Sequence, residues 1–281
     1  VSEYEPLVSI VTTTLNSKKY LRDCIESVLG QTYPRIEHVL VDGGSSDGTI
    51  ELIQRYQARY PDKICLTSGQ DKNACDAWNK GWGMASGDIL GWLGSDDIYE
   101  SDTIDTVVEC FRLNPNEVFV FGDCRIIDDI TGKNEIFRAK DFNLDEAIND
   151  ACHIHTAAAF YKREIIEKTG LMDISLNACD RDYWIRVGKV FPMHRVNRVL
   201  ATWRLHSESV SGAKGISRTY ARENFIICRR HGGRILSGCG IRYFGSGIIE
   251  FFWPVLGPCS GTLYTKFAYP IARSLGRVLR I

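Results

Sequence analysis

The chain has 281 residues, long enough to bury a full core either as one domain with an appendage or as two domains. With 44% hydrophobic and 25% charged residues it has the composition of an ordinary soluble globular protein. The segment Val1-Ser2-Glu3-Tyr4-Glu5-Pro6 lacks the basic start and apolar core of a signal peptide, and no stretch reaches the roughly 20 apolar residues of a membrane span. The net charge of −1 conceals an asymmetry: from Ala213 to Ile281 there are eleven Lys/Arg against Glu223 and Glu250, or +9, so residues 1–212 carry −10. The ten cysteines (Cys24, Cys65, Cys75, Cys110, Cys124, Cys152, Cys179, Cys228, Cys239, Cys259) are scattered without a Cys-x-x-Cys pair. Several fall in predicted helices or strands, where a thiol acts as a small apolar filler. Reduced cysteines in a cytosolic protein are expected rather than a disulfide framework or a zinc site.

Along the first two-thirds, short apolar runs alternate with segments of helical period, the pattern of an α/β sandwich. Leu7–Val11 is expected as a strand leading into Thr12-Thr13-Thr14-Leu15-Asn16-Ser17. Leu21, Cys24, Ile25, Val28 and Leu29 then mark one face of a helix. Ile36–Val41 predicts a second strand ending at Asp42. The loop 43–48 opens another helix with Ile50, Ile53, Tyr56 and Tyr60 inward. Ile64–Thr67 predicts a third strand, Asp76–Ala85 a helix and Ile89–Leu93 a buried strand. Further on, Thr103–Arg112 reads as a helix, Val118–Phe121 as a strand, and Thr131-Gly132 as the turn of a hairpin. Thr156–Tyr161 reads as a strand, Arg163–Thr169 as a short helix, Asp182–Val190 as a helix and Arg195–Arg204 as a strand. After Ser211 the sequence becomes Gly-rich and less regular, which places a boundary near Gly212. No internal repeat or low-complexity segment is present.

The strand Ile89–Leu93 delivers Gly94-Ser95-Asp96-Asp97 to its end. Open α/β sheets bind ligands there, outside the carboxyl ends of the strands. Two neighbouring carboxylates repel unless a cation or a proton compensates them, and a divalent ion on a diphosphate would do so. The alternative is that Asp96 or Asp97 caps the helix over Thr103–Arg112. The loop Asp42-Gly43-Gly44-Ser45-Ser46-Asp47-Gly48-Thr49 has glycines at P-loop spacing, but Thr49 stands where that motif requires Lys. No G-x-G-x-x-G opens a helix. What remains of interest in this loop is Asp42, a strand-end carboxylate able to accept hydrogen bonds from a base or ribose.

Together these residues resemble the family 2 glycosyltransferases, inverting nucleotide-sugar enzymes with a GT-A fold. The similar stretches are Val8–Asn16, Ser27-Val28-Leu29-Gly30-Gln31-Thr32-Tyr33-Pro34, Val41–Thr49, Asp71-Lys72, Asp76-Ala77-Trp78-Asn79-Lys80-Gly81, Ala85-Ser86-Gly87-Asp88 and Ser95-Asp96-Asp97. Later ones are His155, Gly170-Leu171-Met172-Asp173, Asp180-Arg181-Asp182 and Arg204-Leu205-His206. The likeness covers about residues 7–212 and rests on the order and spacing of the stretches. Asn73 is a departure, since many relatives have Gly after the Asp-Lys pair.

The resemblance implies an α/β fold with a Rossmann-like mixed sheet flanked by helices over residues 1–212, followed by a helical or irregular basic extension over 213–281. It implies a hexosyltransferase that moves a sugar from a nucleoside diphosphate sugar, a UDP-sugar above all, to a hydroxyl of a glycan or lipid-linked acceptor in polysaccharide biosynthesis. Charge builds on the departing diphosphate, and Mn²⁺ or Mg²⁺ stabilises it with few protein ligands. The implied metal ligands are Asp97 and His206, with Asp96 on the ribose or the metal. Thr13, Asn16, Asp42, Asp71 and Lys72 surround the nucleotide. The acceptor hydroxyl needs a general base. Asp180 and Asp182 are the candidates; in the family the acid at Asp180's position usually plays this role, and whichever is not the base caps the helix. His155 and Trp203 are candidates for the acceptor side, while Trp78, Trp82 and Trp92 are expected in the core.

A catalytically silent nucleotide-sugar-binding or scaffold subunit on the same fold is the alternative. Sugar-1-phosphate nucleotidylyl transfer needs a Gly/Arg/Lys-rich loop near the first strand, and Thr12–Asn16 supplies none. No nucleic acid partner is expected. The basic tail carries ten aromatics, including Tyr243-Phe244 and Phe251-Phe252-Trp253, and suggests contact with something anionic and partly apolar. An anionic membrane surface at the cytoplasmic face is the expected partner, with packing on the catalytic domain or a homo-oligomer contact as the other uses of the tail.

Overall fold

The computed structural model describes residues 5–207, 209 and 218–245. Four strands, β1 (Val8–Thr14), β2 (Ile36–Asp42), β3 (Ile64–Ser68) and β4 (Ile89–Trp92), run parallel, with β1 between β2 and β4 and β3 outside β2. Each crossover is a helix: α1 (Lys18–Leu29), α2 (Thr49–Arg59) and α3 (Ala74–Met84). The sheet continues with β5 (Ile98–Tyr99), β6 (Phe119–Asp128), β7 (Lys133–Phe137), β8 (Ala159–Lys162) and β9 (His194–Leu205). Its order is β3-β2-β1-β4-β8-β6-β9-β5, with β7 paired to β6. Because β8 is antiparallel to both β4 and β6, and β9 is parallel to β6, the C-terminal ends of β1, β2, β3, β4 and β9 share one edge with the start of β8.

Strand alternation feeds two cores. Ile10, Leu40 and Ile89 meet α1, α2 and α4 (Thr103–Leu113) on one face. Val11, Val41, Leu90 and Phe119 meet α3, α6 (Glu164–Thr169) and α7 (Cys179–Gly188) on the other. Trp78 and Trp82 are buried in this second core, and Trp92, half-buried, stacks on Trp78 at 4.9 Å. Gly81 lets α3 lie directly on β1, since a Cβ there would come within 2.3 Å of a Val11 methyl.

Several expectations are corrected. β1 runs on through Thr12–Thr14, which were expected as loop, because these threonines pair with Leu40–Asp42 of β2. In α2, Leu52 is buried while Ile50 is only half so. Residues 156–158 form a 3₁₀ turn before β8. The capping residue of α4 is Asp102, so neither Asp96 nor Asp97 caps it. Helix α7 begins three residues before the expected Asp182, and Ala178 stands at its N-cap, so neither Asp180 nor Asp182 is the cap. Cys75 and Cys179 form a disulfide, against the expectation of reduced thiols. They lie 104 positions apart in sequence, and the starts of α3 and α7 meet only through the tertiary fold.

Two helices lacked a sequence signal: α5 (Leu144–Asn149) and α8 (Arg218–Arg230). Helix α8 and residues 231–245 pack on the first part of the chain. Arg230 pairs with Asp173, Arg234 with Asp145 and Arg242 with Asp150. The apolar run over 248–256 and most of the aromatic tail lie outside the described residues. Among the described residues no helix is long and apolar enough to cross a membrane.

Candidate active site

The shared edge of the sheet gathers the candidate residues. After β4, the amide of Asp97 bonds back to the carbonyl of Gly94 (3.0 Å), making a tight turn. A side chain at 94 would lie 2.6 Å from the Asp97 carboxylate, so glycine is required. The turn separates the two acids. Asp97 points inward, 3% exposed, and its Oδ1 accepts the Arg204 amide of β9 at 3.0 Å. Burial, and then the charge of Asp96, holds its carboxyl well above the ordinary range. Asp96 faces the open edge, with Oδ2 3.0 Å from Nε2 of His206. The His206 ring lies 4.4 Å from that of Tyr20, which also has Lys19 Nζ at 4.6 Å and the Arg204 guanidinium at 4.9 Å. Asp23 holds that guanidinium at 3.3 Å.

His206 thus meets Asp96 rather than its expected partner Asp97, which is committed to the β9 backbone. Among the described residues no three His, Cys, Asp or Glu side chains converge to hold an ion. Asp96 and His206 nevertheless offer a carboxylate oxygen and an imidazole nitrogen side by side. The raised Asp97 beneath them is a buried acid whose ionised form a nearby cation would stabilise. This donor set fits a divalent ion that draws its other ligands from a diphosphate.

The neighbouring loops are built by their own side chains. Asn16 takes a left-handed φ of 51° and accepts the Ser46 amide at 2.9 Å, while its own amide donates to Ser45 Oγ at 2.8 Å. The carboxylate of Asp42, expected to meet a base or ribose, is instead 0% exposed. It accepts from the amides of Gly44 (2.9 Å) and Ser45 (3.1 Å) and from the Ser68 hydroxyl (2.7 Å), organising the loop. Thr13 is half-buried in β1, and Lys72 is exposed in the loop that follows β3. Asp71 is anchored by Lys80 at 2.5 Å. Asn73 has a structural role: its Oδ1 caps α3 by accepting the Asp76 amide at 3.0 Å, and its Nδ2 donates to the Ile174 carbonyl at 2.8 Å.

On the far side of the edge, Asp180 is half-buried in the first turn of α7. One oxygen accepts from the Thr156 hydroxyl (3.3 Å), the other from the Arg181 amide (2.8 Å). Burial raises its carboxyl, with these bonds and the Arg181 charge acting against the shift. Asp182 turns away and is 1% exposed, bound by Arg186 (2.9 Å), His231 (2.9 Å) and Arg230 (3.5 Å). Between base and metal candidates lie His155 and Trp203, their rings 4.7 Å apart. Burial lowers His155 to about 4, so it is neutral at ordinary pH, and its Nδ1 has no hydrogen-bond partner among the described residues. Thr156, Tyr20 and Lys80 support this site without having been singled out. Lys80 alone had a signal, its place in the Asp76–Gly81 stretch.

Residues 9–170 match the family described as Glycosyl transferase family 2. The chain is a family 2 glycosyltransferase. It is 26% identical to an uncharacterized glycosyltransferase of Rickettsia prowazekii, covering 98% of this chain and 92% of that protein. It is 29% identical to a PGL/p-HBAD biosynthesis glycosyltransferase of Mycobacterium tuberculosis (79% and 83%). It is also 29% identical to chondroitin synthase of Escherichia coli, over 73% of this chain but only 30% of that longer protein. The fold resembles the mannosyltransferase PcManGT of Pyrobaculum calidifontis, solved with GDP-Man and Mn²⁺ (TM-score 0.65, 16% identity, 98% of this chain and 84% of that one). It likewise resembles Staphylococcus aureus TarS 1–349 with UDP-GlcNAc (TM-score 0.65, 13% identity, 95% and 79%). The mixed sheet with its flanking helices is therefore a GT-A fold, and the glycosyltransferase is a transferase enzyme.

Proposed function

We propose that this glycosyltransferase moves a sugar with inversion from a nucleoside diphosphate sugar, a UDP-sugar first, to a hydroxyl of a glycan or lipid-linked acceptor. The observation that carries the reading is the contrast between the two acids of α7. Asp182 is enclosed by cationic side chains, whereas Asp180 carries a raised carboxyl on the same sheet edge as the Asp96–His206 pair. A base for the acceptor hydroxyl must hold a proton once it has taken it, and a carboxylate raised by burial is suited to that. His155 and Trp203 lie between the two ends and are suited to a sugar ring, Trp203 by stacking and neutral His155 by hydrogen bonding. Thr13, Asn16, Asp71 and Lys72 border the nucleotide, with Lys72 available to a phosphate.

Asp96 and His206 would hold Mn²⁺ or Mg²⁺, with Asp97 behind them. That ion would offset charge on the departing diphosphate. The solved relatives carry UDP-GlcNAc in one case and GDP-Man with Mn²⁺ in another, which supports a metal-assisted diphosphate donor here. Association with an anionic membrane surface belongs to the same proposal and rests on the residues beyond 245.

The test is release of UDP from UDP-GlcNAc, or of GDP from GDP-mannose, with Mn²⁺ and water as acceptor. Asp180→Asn should lower the rate by about 10²–10⁴-fold, the usual contribution of a general base, and leave nucleotide affinity unchanged in calorimetry. Release at the wild-type rate by Asp180→Asn would remove the base. No release by the wild-type protein with either donor would favour a nucleotide-sugar-binding subunit.

A further inference from the structure

Helix α7 carries Asp180 but lacks what normally fixes a helix start. Its N-cap is Ala178, which has no side-chain acceptor for the free amides of the first turn. Glu223 of α8 instead holds the two residues that lead into the helix. Oε2 of Glu223 receives the amides of Asn177 (3.0 Å) and Ala178 (3.1 Å), and Oε1 receives the Asn177 side-chain amide (2.6 Å). A carboxylate at a helix N-terminus is also favoured by the helix dipole.

The next residue of α8 completes the arrangement. Arg181 is 7% exposed, and among the described residues no carboxylate forms an ion pair with it. Its guanidinium is held by the Ala147 carbonyl (2.8 and 3.1 Å), the Ile148 carbonyl (3.2 Å), Cys239 Sγ (2.9 Å) and Asn224 Oδ1 (2.5 Å). Asn224, 6% exposed, is oriented by donating its Nδ2 to the Tyr220 carbonyl at 2.8 Å. A buried guanidinium held by this many acceptors is costly to misplace, so its position is sharply defined. The amide of that same Arg181 meets the Asp180 carboxylate.

We propose that Glu223 and Asn224 are positioning residues for the reaction: α8, which lies outside the stretch matched to the family, sets the first turn of α7 and thereby aims Asp180 at the acceptor hydroxyl. The inference rests on Asp180 being the base. The titratable and charged groups facing Asp180 are Arg181 from its own helix, Cys152 from the segment before the 3₁₀ turn and Tyr220 from α8. Thr156 supplies the remaining polar contact.

The experiment uses the full chain with Glu223→Ala, Asn224→Leu, Asn224→Asp and Asp180→Asn. It follows release of UDP or GDP from UDP-GlcNAc or GDP-mannose with Mn²⁺, and amide exchange over residues 177–183. Glu223→Ala and Asn224→Leu should lower kcat by roughly 10–100-fold, as misplacement of a catalytic group does. The donor KM should stay within about twofold, and exchange should quicken in the first turn of α7. Asn224→Asp keeps the acceptor, so kcat should recover. Its added charge opposes ionisation of Asp180, so the acid limb of the kcat–pH profile should move to higher pH.

Unchanged exchange in both disruptive variants overturns the proposal whatever the donor, as does loss expressed in KM rather than kcat. If those variants do not fold, an unmoved acid limb in Asn224→Asp overturns it. An active Asp180→Asn would defeat the base assignment itself. An inactive Asp180→Asn beside wild-type Glu223 and Asn224 variants would defeat only the positioning role.

Discussion

Asp182→Asn separates the two acids of α7 most sharply. Two residues apart on a helix, their side chains leave the axis about 200° apart, and the structure gives Asp182 the inward direction. It is 1% exposed and faces Arg186, His231 and Arg230 at 2.9, 2.9 and 3.5 Å. Asn preserves the shape but removes the charge and turns an NH₂ group toward cationic donors. Breaking a fully buried pair costs about 3–5 kcal/mol, and a single hydrogen bond to a charged group contributes about 1.5–3 kcal/mol. Arg186 and Arg230 are partly exposed (25% and 41%) and can recover water, so the lower range applies. We expect a loss of about 2–3 kcal/mol, which in a chain of this size lowers Tm by about 4–12 °C. Donor hydrolysis measured well below that Tm should remain within a few-fold of wild type, in contrast to Asp180→Asn. A variant with unchanged Tm and abolished release would refute the reasoning and transfer the base role to Asp182.

Four further outcomes follow from the geometry. His206→Ala should raise the Mn²⁺ concentration needed for half-maximal release by roughly 10-fold or more while leaving UDP affinity in the absence of metal unchanged; an unaltered Mn²⁺ titration would remove His206 from the metal site. Because burial raises the Asp180 carboxyl, release should fall as pH drops through a limb lying above the ordinary aspartate range, and a limb at the ordinary value would contradict its burial. Reduction of the Cys75–Cys179 disulfide, or Cys75→Ser, should lower Tm. The cross-link closes a loop of 104 residues, for which chain entropy allows up to about 4–5 kcal/mol, and melting with and without dithiothreitol reads it. Full-length protein should co-sediment with anionic liposomes, binding should weaken as salt rises, and a chain ending at 245 should lose most of it; equal binding of the two would place the contact elsewhere.

The front half of the fold was legible because β1, β2 and β4 are largely buried and appear as short apolar-rich runs, with Gly and Pro marking their ends. Strand β5 was not legible, because Ile98-Tyr99 is two residues long and exists only through pairing with Thr202 and Ala201. Helix α8 was hidden by the Arg-rich composition that drew attention to charge. Three of those arginines, Arg230, Arg234 and Arg242, are engaged with Asp173, Asp145 and Asp150. The sequence singled out Asp96, Asp97, Asp180, Asp182 and His206 as candidates, but residue type alone could not say which acid faces which way. That choice is made by tertiary contacts: the Arg204 amide for Asp97, and Arg186, Arg230 and His231 for Asp182. Asp42 shows the same limit, since a strand-end carboxylate serves equally well to hold its own loop or to hold a ligand.

On the proposed mechanism, α3 ties the nucleotide-side loop to the segment that leads into α7. Lys80, past the middle of the helix, holds Asp71, and Asn73 caps its start, anchoring the 69–73 loop. The same helix reaches the segment that leads into α7. Asn73 donates to Ile174, Asn79 exchanges two 3.0 Å bonds with the backbone of Met172, and Cys75 is joined to Cys179. Cys179 precedes Asp180. A single displacement with inversion requires the base and the leaving diphosphate to sit on opposite sides of one carbon, at a separation that tolerates little error. On the proposed mechanism that separation would be held by α3, whose Gly81 lies against β1, as well as by the sheet. Loosening a tie to the α7 segment should therefore act on turnover before it acts on donor affinity, because the nucleotide loop keeps its own anchors when the α7 end is released.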